Sequence, residues 1–357
     1  MSIDRFTSRA LTQAVRTLGD GRENFLVNVV FGRGQNHPTN LIDFGVMNIP
    51  ARVALFRKPN EPALPVNKHT GDSKAVSAPK IRLKKVFDEN HAAVLNPALD
   101  SYAGPYMDPN AQIAEKVAME QAELRRRIDR TVEVMCAQAL FTGSITLTFE
   151  DGSTATITME YTGDGATAGD TLTIQKALAG TDAWGSATSK PWRTIETLVK
   201  QIRNHSDYSG PCDLMAGTDS FLALVENEKV RQHLDTNNLA VGSLGMSAQA
   251  AYRGTYNGVR IFVYENGYVN SAGTRVEVWD GKSIAVVPQG GGGQLTIEHG
   301  AVYDRPEGAM QAQFIQTDYF SKWHTEDDPA VEELIVESRP LPLVKNPKVI
   351  RIQKVLV

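Results

Sequence analysis

A few short patterns in this chain carry residue types that could do chemistry, and each can be held against what that chemistry requires. Gly281-Lys282-Ser283 ends as a phosphate-binding loop ends, where glycine N–H groups cradle a phosphate and the lysine neutralises it. The full motif needs glycine at 276, and the chain has Val276. Phe31-Gly32-Arg33-Gly34 starts like a dinucleotide fingerprint, but the third glycine position holds His37. Gly163-Asp164-Gly165-Ala166-Thr167-Ala168 satisfies the GxGxxA spacing. The residues after it, GDTLTIQ, read as turn and strand, where a pyrophosphate needs a helix N-terminus. No GxSxG nucleophile elbow occurs.

The metal-binding residue types fare no better. Histidines at 37, 69, 91, 205, 233, 299 and 324 are scattered, with no HExxH or HxH pair to converge on one ion. Trp323-His324-Thr325-Glu326-Asp327-Asp328-Pro329 could offer carboxylates to a hard cation. Adjacent acids before a proline are more simply a charged turn. The two cysteines, Cys136 and Cys212, form no CxxC pair and cannot build a disulfide framework. Cys136, among Val134, Met135 and Leu140, reads as a buried thiol. The sequon Asn204-His205-Ser206 would matter only behind a secretory leader, and the N-terminal stretch has no uninterrupted apolar core. The expectation is a protein that is not an enzyme, with no catalytic residues, no metal and no cofactor.

Composition agrees with a folded, non-catalytic body. A chain of 357 residues, 41% apolar and 22% charged, has room for one large or two ordinary domains. A net charge of −4 argues against a surface that grips nucleic acid, though not against a wall that merely surrounds it. No apolar run approaches 18 residues, so a soluble, intracellular chain is expected.

The elements that would position any function begin with a short amphipathic helix over 8–18, stopped by Gly19. FLVNVVFGRG reads as an apolar strand and NHPTN as a turn. After apolar residues 42–56 comes the polar excursion KPNEPALPVNKHTGDSKAVSAPK, closed by the strand IRLKKVF. Apolar residues at 113, 117, 124, 128, 132, 135 and 139 then predict one helix over 109–142, with Gln121 the misfit. Asp108 and Pro109 suit its start and Gly143 its end. Arg125, Arg126, Arg127 and Arg130, with Glu123, Asp129 and Glu133 near, read as a solvated, salt-bridged face. At about 1.5 Å per residue this rod is roughly 50 Å long. That is the full diameter of a compact ball of this chain length, about 50–55 Å. A flat body built along a spine accommodates it better.

Beyond the rod, SITLTFEDGSTATITMEY alternates around Glu-Asp-Gly as a hairpin. WRTIETLVKQIRNH reads as a helix, CDLMAG as a buried strand, and DSFLALVENEKVRQHL as a second helix. VRIFVYENGYV, TRVEVWDG, SIAVVPQGGGG, EELIVESRPLPLV and VIRIQKVLV are strand-rich. Without internal repeat or regular βαβ alternation, the class is α+β. Charge is distributed unevenly: residues 51–91 carry nine bases against four acids, while 326–337 carry six acids and no base. Two such patches suit a contact between subunits. The candidate inter-subunit residues are Arg57, Lys58, Lys80, Arg82, Lys84 and Lys85 on one side, and Asp327, Asp328, Glu332 and Glu333 on the other. On that reading, reversing the charges at 80, 82, 84 and 85 would impair assembly and leave the subunit folded.

Taken in order, these blocks resemble the phage lambda-type major capsid proteins, the major capsid protein E family. NFLVNVVFGRGQNHPTNLIDFGVMNIPARVALFRKPNEPALPV is similar to the family's N-terminal block. DPNAQIAEKVAMEQAELRRRIDRTVEVMCAQALFTGSITLTFEDG resembles its spine helix and following hairpin. GTDAWGSATSKPWRTIETL matches its Trp-then-Pro approach to the next helix, and WHTEDDPAVEELIVESRPLPLVKNP its ending. YNGVRIFVYENGYVNSAGTRVEVWDGKSIAVVP resembles the strands between.

The resemblance implies a Hong Kong 97-type phage capsid fold. Its parts would be an N-terminal arm (1–45), an extended β-hairpin loop (46–92), a peripheral domain with the spine helix (93–189), an axial domain (190–310) and peripheral return strands (311–357). It implies hexamers and pentamers closing into an icosahedral head around double-stranded DNA, bound without sequence preference and without a membrane. Portal and scaffolding proteins, and in some relatives a decoration protein, would be partners, and assembly would occur in the host cytoplasm. The helix at 8–18 could meet a scaffold. Two other classes remain on the residues alone: a β-rich adhesin-type binding protein using 144–180, and a metal hydrolase built on Asp327 and Asp328.

Overall fold

The computed structural model describes residues 7–17, 25–47, 71–87, 109–149, 151–158, 174–175, 178–186, 188–206, 208–236, 242–244, 252–256, 258–265, 267–269, 273–305, 311–327 and 330–356. Helix α1 (Ser8–Thr17) turns Leu11 and Val15 inward, as its spacing predicts. The next segment departs from the strand expected of it: Leu26–Val30 is a π-helical turn. Its helical pitch lets Leu26 and Val30 both be buried, and Glu133 accepts from the N–H groups of Leu26 (2.9 Å) and Val27 (3.1 Å). A carboxylate at a helical N-terminus satisfies donors that a strand would have left to a neighbour.

Strand β1 (Gly32–Asn36) comes next, then β2 (Leu41–Met47), which pairs antiparallel with β3 (Gly71–Ser77). Strand β4 spans Ile81–Phe87. Helix α2 (Pro109–Phe141) is the predicted rod of 33 residues. Val117, Leu124, Ile128, Val132, Met135 and Ala139 are buried along it. The expected cap Asp108 lies outside the described residues. Gly143, at φ 69°, ends the helix in the left-handed conformation that glycine adopts freely.

The hairpin β5 (Ser144–Thr148) and β6 (Thr154–Thr158) lies where the alternation predicts it. After β7 (Ile174–Gln175), helix α3 (Pro191–His205) buries Ile195, Leu198 and Ile202, and β8 (Cys212–Ala216) is buried throughout. The helix expected next is two, α4 (Thr218–Glu226) and α5 (Glu228–Thr236). Asn227 breaks it, since its side-chain oxygen accepts from Lys229 N–H (3.1 Å) and its amide donates to Ser189 (2.9 Å). Six strands lie beyond it: β9 (Gly242–Leu244), β10 (Tyr252–Tyr256), β11 (Val259–Val263), β12 (Gly267–Val269), β13 (Arg275–Glu277) and β14 (Ser283–Pro288). The chain finishes with β15 (Leu295–His299), β16 (Val302–Asp304), β17 (Gln313–Ile315), β18 (Phe320–Asp327), β19 (Ala330–Ser338), β20 (Pro340–Val344) and β21 (Arg351–Lys354).

Among the described residues, three sheets have three or more strands and four are two-stranded pairs. A seven-stranded sheet has the order β7-β21-β14-β8-β11-β10-β9. One of its faces packs Leu214, Ile284 and Val286 against α3 and α4. Met215, Ala285 and Val287, which alternate with them, join the larger core around α2. Burial on both faces is why β8 and β14 are mostly apolar, with Asp213 the charged exception, paired to Arg260 of β11 at 2.5 Å. A three-stranded sheet, β1-β15-β20, and another, β18-β19-β4, lie against that larger core. Residues 351–354, grouped by sequence with the return strands, hydrogen-bond to β14 inside the seven-stranded sheet.

Where β1 meets β15, Glu298 gathers Gln35 N–H (2.6 Å), Thr296 Oγ1 (3.0 Å), His37 Nε2 (3.2 Å) and Lys345 Nζ (3.0 Å). Burial alone would raise its carboxyl, but the Gln35 N–H, Lys345 and Thr296 together hold it below the ordinary value. Burial pushes His299 below the usual imidazole value, against the pull of Asp318 and Glu298. The unfolded chain therefore takes up protons at His299 more readily than the folded one. Stability should fall as pH drops below about 6.5, the unperturbed histidine value. The Glu298 contribution, complete above the unfolded carboxylate value of about 4.3, should be lost as pH falls further. Thermal unfolding followed from pH 8 to pH 3.5 should show both losses, and His299→Asn should remove the first.

Candidate functional site

The residues with most to hold together lie along one line of the spine. Gln121, Arg125, Asp129 and Glu133 recur every four residues, and all four are buried. At that spacing they form one stripe beside the apolar one. The Gln121 amide donates to Leu11 O (2.8 Å) and Ser321 Oγ (3.1 Å), and the Arg125 guanidinium donates to Val15 O (2.5 Å). Val15 O is among the last carbonyls of α1, which no later turn can satisfy, so a cation there also complements the helix end. Asp129 lies 3.5 Å from Arg125 and accepts from the Tyr319 hydroxyl (2.5 Å). Burial, with Asp129 beside it, pushes that hydroxyl far above its ordinary value. Glu133 completes the stripe at the π-helical turn.

Sequence reasoning missed this stripe. Gln121 is not a defect in an apolar face, and Arg125 is not on the solvated one; both read the backbone of the arm. The signal was present as a polar residue every four positions. Arg126, Arg127 and Arg130 are exposed as expected, with Arg127 donating to Glu123 at 2.5 Å.

Helix α1 is also held by β18 and by the residues just before it. The Thr12 hydroxyl accepts from Ser321 N–H (3.0 Å) and lies 3.2 Å from Ser321 O, while Arg16 pairs with Asp318 at 2.7 Å. A helix with two buried side chains thus covers a strand edge that would otherwise present unpaired groups.

The charged patches also meet, and they do so within one chain. Strand β19 pairs with β18 on one side and β4 on the other, in register Glu333↔Val86 and Glu337↔Arg82. Lys84 reaches Glu333 at 2.7 Å and Lys85 reaches Glu120 of the spine at 3.0 Å. Glu337, with 1% of its side chain exposed, has Lys80 at 3.4 Å, Arg82 at 3.7 Å and Arg339 at 3.5 Å. Glu332 is exposed on β19. Arg57, Lys58 and Asp328 lie outside the described residues, and Asp327 is placed only as the last residue of β18. Lys80, Arg82, Lys84 and Lys85 are therefore engaged by acids of their own subunit.

The patterns first weighed for chemistry have structural places. Gly281-Lys282-Ser283 leads into strand β14, and Gly32 and Gly34 sit in β1. Among the described residues, no group of three or more histidine, cysteine or acidic side chains is close enough to hold a metal ion. Cys136 is buried, and burial, with Glu133 nearby, pushes its thiol well above the ordinary value; burial raises Cys212 to about 11.

The family profile described as phage major capsid protein E matches residues 7–355. The chain belongs to that family. As a phage major capsid protein of type E it forms capsid shell by self-assembly, and its place is the virion capsid. The family is a structural one.

Solved structures show the fold to be the Hong Kong 97-like capsid fold. One, described as a candidate capsid protein of a prophage from E. coli CFT073, superposes with a TM-score of 0.64 at 16% identity, over 98% of this chain and 99% of that one. A phage-related protein from Bordetella bronchiseptica RB50 gives 0.51 at 12% identity, over 99% and 98%. A chain from the capsid of a native GTA particle gives 0.50 at 11% identity, over 96% and 93%. No curated protein matches the chain by sequence.

With three cations around one buried carboxylate, Glu337→Gln should destabilise the subunit. Lys80 and Arg82 are partly solvated, so the loss should fall near or below the low end of the roughly 3–5 kcal/mol typical of a broken buried pair. Reversing the charges at 80, 82, 84 and 85 together should lower the melting temperature of the unassembled subunit; an unchanged melting temperature would contradict this geometry.

Proposed function

We propose that this subunit builds a closed icosahedral head of hexamers and pentamers around a double-stranded DNA genome. The observation that carries this is the family profile over 7–355 together with the spine it contains: a helix of 33 residues clasped by the chain's own N-terminal arm. Such a body is a stiff tile, and a tile is useful when it is repeated.

In this reading β18-β19-β4 and the spine are the peripheral domain, and the seven-stranded sheet is the axial domain. The loop over 46–92 reaches a neighbouring subunit. Because β4 is engaged within its own chain, that contact falls to residues nearer the loop's tip, Arg57 and Lys58, meeting the exposed Glu332 and, in the same acidic stretch of sequence, Asp327 and Asp328. Single surface ion pairs contribute about 0–1 kcal/mol, so their effect depends on repetition around a closed lattice. Assembly takes place in the host cytoplasm, with a scaffolding protein and a portal as partners; a decoration protein would bind the finished exterior. DNA is enclosed without sequence recognition, in keeping with the net charge of −4.

The chain expressed alone, and then with the scaffolding protein of its phage, should give rings, tubes or closed shells by size-exclusion chromatography and negative-stain electron microscopy. A uniform small oligomer under both conditions, binding glycans through the β5–β6 region, would replace this reading with an adhesin. Arg57→Glu with Lys58→Glu should reduce assembly while leaving the melting temperature of the free subunit unchanged.

A further inference from the structure

We propose that the glycine turn Gly290–Gly293 is the joint at which the seven-stranded sheet changes its angle to the β1-β15-β20 sheet. The proposal rests on the reading that one subunit must fit rings of different size.

The turn connects β14 of the first sheet to β15 of the second, so its dihedral angles set how the two sheets meet. All four residues lie in the left-handed region, with φ of 59°, 71°, 55° and 72°. Four such residues in succession can be supplied only by glycine without strain at each. The middle pair is seated. A Cβ on Gly291 would come within 2.5 Å of Val30 O, and one on Gly292 within 2.8 Å of the Tyr208 ring. The outer pair is open, since a Cβ on Gly290 or Gly293 would meet nothing within 4 Å. Packing therefore requires glycine at 291 and 292, but only backbone conformation requires it at 290 and 293. That combination gives a fixed pivot with a pliable residue on each side.

A second connection between the same sheets runs alongside, from β20 to β21, and the two are joined by Lys345 N–H donating to Gln294 O at 2.8 Å. This one is stiff. It contains Pro347, and the Asn346 side chain accepts from Lys348 N–H at 3.0 Å. With one rigid and one compliant connection, a change of angle should concentrate its backbone motion in Gly290 and Gly293. The pivot also touches the arm, because Val30 ends the π-helical turn that Glu133 holds. A change of angle is thereby transmitted toward the spine.

The test is cryo-electron microscopy of assembled shells at a resolution that places the main chain, comparing subunits from five-fold and six-fold rings. The two sheets should differ in mutual angle between these environments, with the largest backbone changes at Gly290 and Gly293. Identical dihedral angles over 289–294 in every subunit would overturn the joint, whether or not bending occurs elsewhere. If the chain forms no shells even with its scaffold, the shell reading fails and the joint falls with it. As a second measurement, Gly290→Ala with Gly293→Ala should shift assembly at least tenfold from closed shells toward tubes or sheets of one curvature. Should that variant fail to fold, the comparison within wild-type shells still decides.

Discussion

Everything else in this subunit depends on the demand that four buried polar side chains make of their surroundings. A helix of 33 residues crossing the body cannot keep Gln121, Arg125, Asp129 and Glu133 inside unless each finds a partner, because an unpartnered buried polar group costs about 1–3 kcal/mol, and more if charged. The partners come from segments far away in sequence: α1, the π-helical turn and Tyr319. Apolar packing along the neighbouring stripe supplies most of the adhesion, but it is tolerant of small shifts. Directional bonds to Leu11, Val15, Leu26 and Val27 are not, so they define where the arm lies on the spine.

The sheet β18-β19-β4 extends the same logic to charge. Glu337 is buried among three cations because β4 and β18 flank β19, and Lys85 reaches across to Glu120 of the spine. The loop that leaves β2 and returns through β4 is therefore anchored to the body at its returning end.

Periodic features were legible in the sequence, and relational ones were not. The rod, the β5–β6 hairpin, α3 and the buried β8 follow from spacing and turn residues that act within a few positions. The π-helical turn was not legible, because FLVNVV suits a strand on propensity and becomes helical only through Glu133, some hundred positions away. Asn227 breaks a predicted helix by bonding Ser189, which local sequence does not reveal. The charged patches were visible as compositions, but composition cannot say whether opposite charges meet within a chain or between chains. The register of β4 on β19 brings Lys84 to Glu333 and Lys80 to Glu337 within the subunit. Buried polar residues at regular spacing are a readable sign, and Gln121 and Arg125 show how easily they are dismissed as misfit and solvated face.

The clasp on the spine also has a place in time. Thr12 bonds Ser321 across 309 positions, and β4 pairs with β19 across some 250. A chain made from its N-terminus cannot close either contact until most of it has left the ribosome. Long-range contacts of this kind form slowly even then. Until β18 emerges, α1 has only the spine side of its groove, and ten residues are too few to hold a helix alone. The helix is made early and its clasp closes late, when β18 brings Ser321 to Thr12.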